Sequence, residues 1–436
     1  RRNYLAAKDG KSIIFADGIY QKSSAYDYTY INQYTPNKEK AEVTTHGSIV
    51  FTGKDARERL TELWTEYGLT PQGELFESAL QESVTSNLNN TTIYGGVLSV
   101  EDGARLETYG LNVKNGATFR ISDALSVQIN ATFESGSVLQ ACGDVIISDS
   151  GSRGVKMLAG SVISLHNAFI DLDGKLQVGE YSDDVVTVKL SNYEAGSHVL
   201  LQTSQGLVIN GALSYELETA TASSHRVYYR ITTDDSTIKA QVGDLATTVY
   251  WSAGSDTWES AVWTMKDFGL EPEDGSVLLV DREHYYNGDS VVFNKGGKVK
   301  LNGAVTPVDV LVEGSADVTF YGDGSIDGAT GLTKKGSGVL RINTSNTYTG
   351  GTLLQAGTII AGNSGAFGYG DIKLAGGTLN LDNLNINNKL IVSGSAVVKN
   401  GSSFSGVLIL EGGKLSGDAL NISDSTNLSH GSIAND

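Results

Sequence analysis

The sequence predicts a mainly β protein whose short strands coil into a β-solenoid, with a small helical segment near the N-terminus. Glycine is frequent, at 52 of 436 residues, whereas proline is rare at 4, which suits repeated tight turns between hydrogen-bonded strands. After about residue 89, short runs alternate apolar and polar residues, and Asp-Gly, Asn-Gly or Ser-Gly pairs separate them. Short phrases also return at spacings of about 13 to 36 residues, a loose self-similarity typical of coiled strand arrays.

Two recurring phrases carry this prediction. A glycine followed by a small residue, one further residue and a large apolar residue begins at Gly103, Gly116, Gly136 and Gly160. Two glycines, any residue and then Leu or Val begin at Gly95, Gly296, Gly350, Gly376 and Gly412. We expect coils of about 20–25 residues, each stacked about 4.8 Å from the next, with Val, Leu and Ile inside. A set of β-sandwiches is the rival architecture, and alternation alone leaves it open.

Residues 1–88 differ from the rest because they are rich in Tyr and contain two helical patterns. Ala56, Leu60, Leu63, Trp64 and Tyr67 have the spacing of one face of an amphipathic helix. A second helix is expected after Pro71, a residue favoured in the first turn. An open solenoid end exposes unpaired strand edges, so we expect this segment to cap the stack.

The middle of the chain contains a predicted hairpin and a group of tryptophans. Two alternating runs flank Asp234 within residues 226–242, and this hairpin would close a first β region over residues 89–246. Trp251, Trp258 and Trp263 follow, in a second region over residues 247–330. Clustered Trp can stack on carbohydrate, but a local core at a domain junction is the favoured interpretation.

Composition excludes several classes of protein. The net charge of −18 argues against nucleic-acid binding, because phosphate contacts need a basic face. The single cysteine, Cys142, excludes a disulfide within the chain, and we expect it to be a small buried apolar residue. No apolar run approaches the roughly 20 residues of a transmembrane helix. The chain begins without Met or an apolar signal core, as expected of a mature or trimmed protein.

One run of sequence carries a specific resemblance. Its elements are Leu332-Thr-Lys, Gly336-Ser-Gly, Asn346-Thr-Tyr-Thr-Gly-Gly-Thr, Ala356-Gly-Thr and Gly376-Gly-Thr-Leu. With them, residues 331–381 resemble the autotransporter-associated β-strand repeat, also called the passenger-associated transport repeat. The upstream Trp group, Gly288-Asp-Ser-Val-Val-Phe and Tyr321-Gly-Asp-Gly-Ser-Ile-Asp-Gly extend the resemblance to about residues 247–390. One repeat copy lies in the last region, residues 331–436.

This resemblance implies a right-handed parallel β-helix in a bacterial passenger that is secreted or displayed at the outer-membrane surface. It also implies a scaffold that binds or displays, with a host glycoprotein, glycan or cell surface as the expected partner. Relatives often continue into a membrane β-barrel or end in a sorting signal. Because the chain ends with neither, we expect that its C-terminus is cut or that an anchor lies beyond it. A stacked coil depends on its neighbour, so order can propagate along a chain that emerges vectorially.

Two phrases in the sequence contain candidate catalytic residues. Gly288-Asp289-Ser290 resembles a serine-hydrolase phrase, but a strand follows it and the repeat resemblance accounts for it. Ile147-Ser-Asp149-Ser-Gly resembles half of an aspartic-peptidase site, which needs two carboxylates that share a proton. No second half-site appears in the sequence, so Asp149 remains the alternative catalytic residue of a secreted hydrolase.

The sequence supports no cofactor or metal site. Tyr321–Gly328 places two Asp beside Gly, but a helix–loop–helix calcium site needs more oxygen ligands and a terminal Glu, so a turn is favoured. The six histidines show no ligand spacing, and no phosphate loop occurs. Two hypotheses stand: a structural or adhesive surface protein, which is favoured, and a β-helix hydrolase that acts on host protein or mucin-type glycan. The ligand and the oligomeric state are not set by the sequence.

Overall fold

The structure is a computed structural model of the chain. It describes residues 4–5, 12–15, 40–43, 48–52, 56–66, 70–149, 154–218, 225–266, 275–401, 407–417 and 426–435. The chain is 55% strand and 5% helix, and its β-solenoid has about 14 turns. The predicted mainly β solenoid is therefore confirmed, and the β-sandwich alternative is wrong because the stacked strands pair in parallel.

The described residues form two compact units. The first contains the described residues up to 218, together with 229–243 and 275–279. The second contains residues 225–228, 244–266 and the described residues from 280 onwards. The predicted domain boundaries at residues 88, 246 and 330 remain predictions.

The strands that lie wholly or mainly in the first unit are mostly short and separated by turns. They are β1 Tyr4–Leu5, β2 Ser12–Phe15, β3 Lys40–Val43, β4 Ser48–Thr52, β5 Thr85–Ile93, β6 Gly96–Glu101, β7 Arg105–Val113, β8 Ala117–Ile121, β9 Ala124–Phe133, β10 Val138–Asp149, β11 Val155–Met157, β12 Val162–Asp173, β13 Leu176–Val178, β14 Val185–Ser191, β15 Gly196–Thr203, β16 Leu207–Ile209, β17 Ala212–Leu217, β18 Val227–Thr233, β19 Thr237–Asp244 and β23 Ser276–Val280.

Parallel pairing arranges these strands into three faces. The first face runs from β1 through β3, β5, β7, β9, β11 and β13 to β16. The second runs from β2 through β4, β6, β8, β10, β12 and β14 to β17. A third face pairs parts of β5, β7, β9, β10, β12 and β15. Because β1 to β4 pair in parallel with the later strands of the first and second faces, residues before 89 also contribute strands to the stack.

The interior of this stack follows the alternation in the sequence. In β8 the buried residues Ala117, Phe119 and Ile121 alternate with outward Thr118 and Arg120, because successive side chains of a strand point to opposite sides. The glycines of the recurring phrase all occupy turns with positive φ, at 83° for Gly103, 76° for Gly116, 73° for Gly136 and 73° for Gly160. Glycine adopts this region without the penalty that a Cβ imposes, which explains why the phrase begins with Gly.

Two helices lie where the periodicity predicts them. They are α1 Ala56–Glu66 and α2 Glu74–Val84, between β4 and β5. The ring of Trp64 contacts that of buried Phe76 edge-on at 5.0 Å, so the apolar faces of the helices pack together. The cap role of residues 1–88 remains a proposal, since Tyr20 to Tyr34 and the side chain of Leu63 lie outside the described part of the chain.

The second unit contains shorter and more regular strands. They are β20 Thr248–Trp251, β21 Ser255–Thr257, β22 Trp263–Met265, β24 Ser290–Phe293, β25 Gly297–Lys300, β26 Ala304–Val305, β27 Asp309–Val312, β28 Val318–Tyr321, β29 Ser325–Ile326, β30 Gly331–Lys334, β31 Val339–Ile342, β32 Thr352–Leu354, β33 Thr358–Ala361, β34 Ile372–Leu374, β35 Thr378–Asn380, β36 Leu390–Val392, β37 Ser395–Lys399, β38 Leu408–Gly417 and β39 Thr426–Asn435.

Two long parallel faces build the second unit. One runs from β20 through β24, β27, β30, β32, β34 and β36 to β38 and β39. The other runs from β21 through β25, β28, β31, β33, β35 and β37 to the same two strands. Partners such as Leu332 and Thr352 are about 20 residues apart, at the short end of the expected coil length.

Glycine in the transport-like repeat permits close approach between coils. A Cβ on Gly336 would lie 2.4 Å from the carbonyl oxygen of Gly314, and one on Gly357 would lie 2.3 Å from that of Gly336. Gly377 continues this column, with 2.6 Å to the carbonyl oxygen of Gly357. The glycine of each coil thus rests on the glycine of the preceding coil, where any side chain would push the coils apart.

The Asn-Thr-Tyr-Thr-Gly-Gly-Thr phrase supplies buried hydrogen bonds between coils. The Asn346 amide accepts from Ile326 N–H at 3.0 Å and donates to Ala366 C=O at 2.8 Å, so one side chain links three successive coils. The hydroxyl of buried Tyr348 lies 2.7 Å from that of Thr352. Buried backbone groups need such partners wherever a turn interrupts the strand ladder.

The tryptophan group is part of the core of the second unit. Trp251, Trp258 and Trp263 are each at most 1% exposed, and their rings contact one another and Phe293 at 5.2–5.7 Å. β20 pairs antiparallel with β22, which places Trp251 opposite Trp263. The core interpretation is confirmed, because rings this deeply buried cannot present a stacking surface to a carbohydrate.

Candidate binding site

The structure describes the backbone position of Asp149. Asp149 is the last residue of β10, and its backbone pairs with Val127 of β9. Its side chain and the following Ser150, Gly151 and Ser152 lie outside the described residues. The aspartic-peptidase alternative at Asp149 therefore remains a prediction.

Asp289, from the serine-hydrolase-like phrase, belongs to a buried ion pair. Its carboxylate accepts from Nη2 of Arg226 at 2.9 Å, and both side chains are at most 1% exposed. The guanidinium also donates to the backbone oxygens of Asp281 and His284 and lies 4.7 Å from the centre of the Tyr286 ring. Burial raises the pKa of Asp289, and the hydrogen bonds from Arg226 oppose this shift. The phrase thus has a structural role, anchoring the start of β24.

A depression on the third face of the first unit has the size of a small ligand site. It has a volume of about 340 Å³, at the lower end of the roughly 300–1,000 Å³ of small-molecule sites. We call it the corner depression. It is lined by Asp144, Asn167, Ala168, Phe169, Tyr193, Ser197, His198, Val199 and Gln202.

Corners between the second and third faces create the depression. β10 has a register shift between Cys142 and Asp144, which bends it around the corner. In the next two coils Asn167 and Asn192 turn the chain with φ of 44° and 63°, a conformation that Asn adopts more readily than most residues. The third face then departs from parallel pairing at β15. This strand pairs antiparallel with β19, and Ser197 lies opposite Gln241. The depression lies between this corner and β15.

The side chains of Tyr193 and His198, which line the corner depression, are held by hydrogen bonds to the backbone. The Tyr193 hydroxyl donates to Ala168 C=O at 2.5 Å and accepts from Ala168 N–H at 3.1 Å, and burial raises its pKa. The His198 ring contacts the Tyr193 ring edge-on at 5.2 Å. Nε2 of His198 lies 2.8 Å from Glu194 C=O, which can only accept, so Nε2 carries the proton. In the neutral ring Nδ1 is then an acceptor.

Two outward amides beside the depression are held in place by neighbouring side chains. Gln202 donates through Nε2 to Asp171 at 2.9 Å, which fixes the amide orientation and leaves its oxygen as an acceptor. Ser197 donates to Oε1 of Gln241 at 2.5 Å, which holds the Gln241 amide by its oxygen. Held side chains lose less conformational freedom when they bind a ligand.

A second depression of about 360 Å³ shares Ser197, His198 and Val199 with the first. Its other lining residues include Arg230 and Lys239. The Lys239 ammonium pairs with Asp234 at 3.2 Å. The predicted turn at Asp234 is present, because its N–H donates to Thr237 C=O at 3.0 Å.

A polar cluster lies at the same corners. His166 Nδ1 is 2.9 Å from the hydroxyl of Ser191, and the Asn192 amide is 2.7 Å from His166 Nε2. Glu218 accepts from Ser164 at 3.0 Å and from Ser191 at 3.5 Å. In a serine-hydrolase triad the carboxylate orients the imidazole, but here it contacts the serine, which is 4% exposed. The cluster satisfies buried hydroxyls and lacks the order of a catalytic triad.

The sequence predicts no chemical role for Cys142 or for possible metal-ligand side chains. Cys142 is partly buried, less deeply than expected, and burial raises the pKa of its thiol, which disfavours the reactive thiolate. In the described part of the chain, no three or more His, Cys, Asp or Glu side chains are close enough to hold a metal ion. No described helix combines the length and apolar character needed to cross a membrane.

Sequence reasoning missed the corner depression. The hairpin at residues 226–242 was predicted, but its antiparallel docking on β15 was not. Asn167 and Asn192 are the available signal, because each follows an alternating run and bends the chain with positive φ without glycine.

Comparison with known proteins finds one family match within the second unit. The passenger-associated transport repeat family matches residues 332–361, within the run that carries the resemblance. The Adhesin BmaC autotransporter of Brucella suis is 33% identical over 136 residues. This match covers 30% of the chain but only 4% of that adhesin, so the chain spans a small part of the relative's length. No solved structure matches the chain.

The repeat match, the adhesin relative and the stacked parallel coils agree. The resemblance seen in the sequence is therefore confirmed. The chain contains a passenger-associated transport repeat and is similar over 136 residues to an autotransporter adhesin, and it is secreted or displayed at the bacterial outer-membrane surface.

Proposed function

We propose that this passenger adheres to host surfaces by binding a glycoprotein, a glycan or another surface component in the corner depression, and that it performs no catalysis. The observation that carries the proposal is the depression itself. It combines oriented polar side chains with the exposed edge of Val199 on a rigid strand scaffold. The similarity of the chain to an autotransporter adhesin supports the same adhesive role.

The arrangement of polar groups supports binding over catalysis. Asp171 pairs with the Gln202 amide, and the Ser197 hydroxyl pairs with the Gln241 amide, so each pair joins an amide to a single hydroxyl or carboxylate. General acid–base chemistry needs a titratable pair whose environments push its pKa values apart. Amides held in a fixed orientation can bind a ligand through hydrogen bonds without such a titratable pair.

Binding of the purified full chain to fixed host epithelial cells tests this proposal. Gln202→Ala removes an amide from the depression, and Gln140→Ala is the matched control, because Gln140 is an outward amide on the second face bonded to Arg120 at 2.8 Å. We expect saturable binding that Gln202→Ala weakens and Gln140→Ala leaves unchanged. Equal binding by both variants would overturn the proposed site.

A secreted hydrolase is the second candidate. The contact between Ser191 and His166 favours it, although Glu218 contacts the serine and not the imidazole. Its test is turnover of unfolded protein and mucin-type substrates between pH 3 and pH 8. We expect no turnover. Cleavage that Ser191→Ala or Asp149→Asn abolishes would replace the binding proposal with the catalytic one.

A further inference from the structure

We propose that the ligand of the corner depression is a neutral saccharide, one or two pyranose rings of a host glycan. This inference rests on the proposed adhesive function and names the ligand of the same site. Three features carry it: paired donors and acceptors, an apolar wall, and a lone carboxylate.

The lining of the depression offers both donors and acceptors. His198 Nδ1 and the Gln202 oxygen are acceptors by the reasoning above, and the Asn167 amide offers both a donor and an acceptor. Each hydroxyl of a sugar both donates and accepts a hydrogen bond. A ring with vicinal hydroxyls therefore matches this mixture, whereas an apolar ligand would leave the polar groups without partners.

The apolar wall suits the C–H face of a pyranose. Phe169 lines the depression and is only partly buried, and Val199 is 38% exposed. A sugar ring presents polar edges and a less polar face, so it can pack on Phe169 while its hydroxyls reach the amides. A depression of about 340 Å³ suits a short piece of glycan and is small for a folded protein surface.

The charge of the lining selects against anionic sugars. Asp144 is exposed and is the one carboxylate of the lining, which contains neither Lys nor Arg among the described residues. The adjoining depression is lined by Arg230 and by Lys239, whose ammonium is paired with Asp234. The chain as a whole carries a net charge of −18, which also repels sialylated or sulfated glycans.

Saturation-transfer NMR with the full chain tests the ligand class. The probes are methyl galactoside, N-acetylglucosamine and lactose as neutral sugars, with sialyllactose and a sulfated lactose as anionic ones. We expect transfer to at least one neutral probe and none to the anionic probes. Phe169→Leu and Gln202→Ala should each weaken the binding by about two- to tenfold, and Gln140→Ala should not.

A charge variant sharpens the test. Asp144→Asn keeps the shape of the side chain and removes its charge, so we expect it to admit an anionic probe while neutral binding persists. Transfer to anionic probes in the wild type would overturn the neutral-ligand inference. Cell binding that depends on Gln202 without binding of any sugar would also overturn it, while leaving the adhesive function intact. Loss of the Gln202 dependence on cells would instead overturn the function.

Discussion

The side chain of Asn346 links three coils of the transport repeat, and its removal gives a quantitative test of the fold. Asn346→Ala leaves two groups without their partners, the N–H of Ile326 and the C=O of Ala366. Asn346 is 3% exposed, so water does not readily replace the lost amide. Each buried unsatisfied group costs about 1–3 kcal/mol, and together they should destabilise the local coils by about 2–6 kcal/mol.

Hydrogen exchange of the full chain, followed by mass spectrometry, measures this cost locally. A global unfolding midpoint is less informative, because stacked repeats need not unfold as one cooperative unit. Peptides that contain Ile326 and Ala366 should lose about thirtyfold or more of their protection, because 1.4 kcal/mol is a factor of ten.

The neighbouring Thr347→Ala is the control. Its exposed hydroxyl donates to Asp327 at 2.7 Å, and the loss of such a surface bond should change stability by at most about 0.5 kcal/mol. If the exchange of the Ile326 and Ala366 peptides is the same in both variants, the Asn346 amide does not hold the coils together and the reasoning fails.

Three further predictions concern the second unit. Arg226→Met should cost about 3–5 kcal/mol in urea unfolding because it leaves Asp289 buried without its partner, and adding Asp289→Leu should recover much of the loss. Burial would raise the pKa of Asp281, but hydrogen bonds from Tyr286 and neighbouring N–H groups outweigh it and lower the pKa. Ionised Asp281 thus stabilises the fold above about pH 4, and this stability disappears as the pH falls through the lowered value. Melting temperatures from pH 6 to pH 3 should fall less steeply in Asp281→Asn, and an unchanged slope contradicts the assignment. Gly357→Ala should destabilise by about 2 kcal/mol or more because φ is 75° and the Cβ would meet a backbone oxygen, and a wild-type melting temperature would exclude this strain.

The sequence predicted the second unit more fully than the first for a geometric reason. In the transport repeat, paired residues such as Leu332, Thr352 and Ile372 follow one another at intervals of about 20, so the motif and the coil have the same period. Turn glycines and alternating strands were therefore enough to predict parallel stacking. Periodicity also predicted both helices, because their apolar faces repeat at helical spacing.

The corner depression could not be predicted because it depends on contacts across coils of unequal length. His166 and Ser191 are 25 residues apart, whereas Asp171 and Gln202 are 31 apart. With such variation the sequence does not reveal which outward side chains become neighbours. The partner of Asp289 was missed for the same reason, since Arg226 lies 63 residues earlier in the chain.

The most direct test of the account is a hydrogen-exchange footprint of the full chain bound to host-cell glycoproteins. The account predicts added protection in the peptides of β12 and β15 that contain Phe169 and Gln202, with little change in the transport repeat. Protection confined to the repeat, or to the second face around Gln140, would contradict binding in the corner depression.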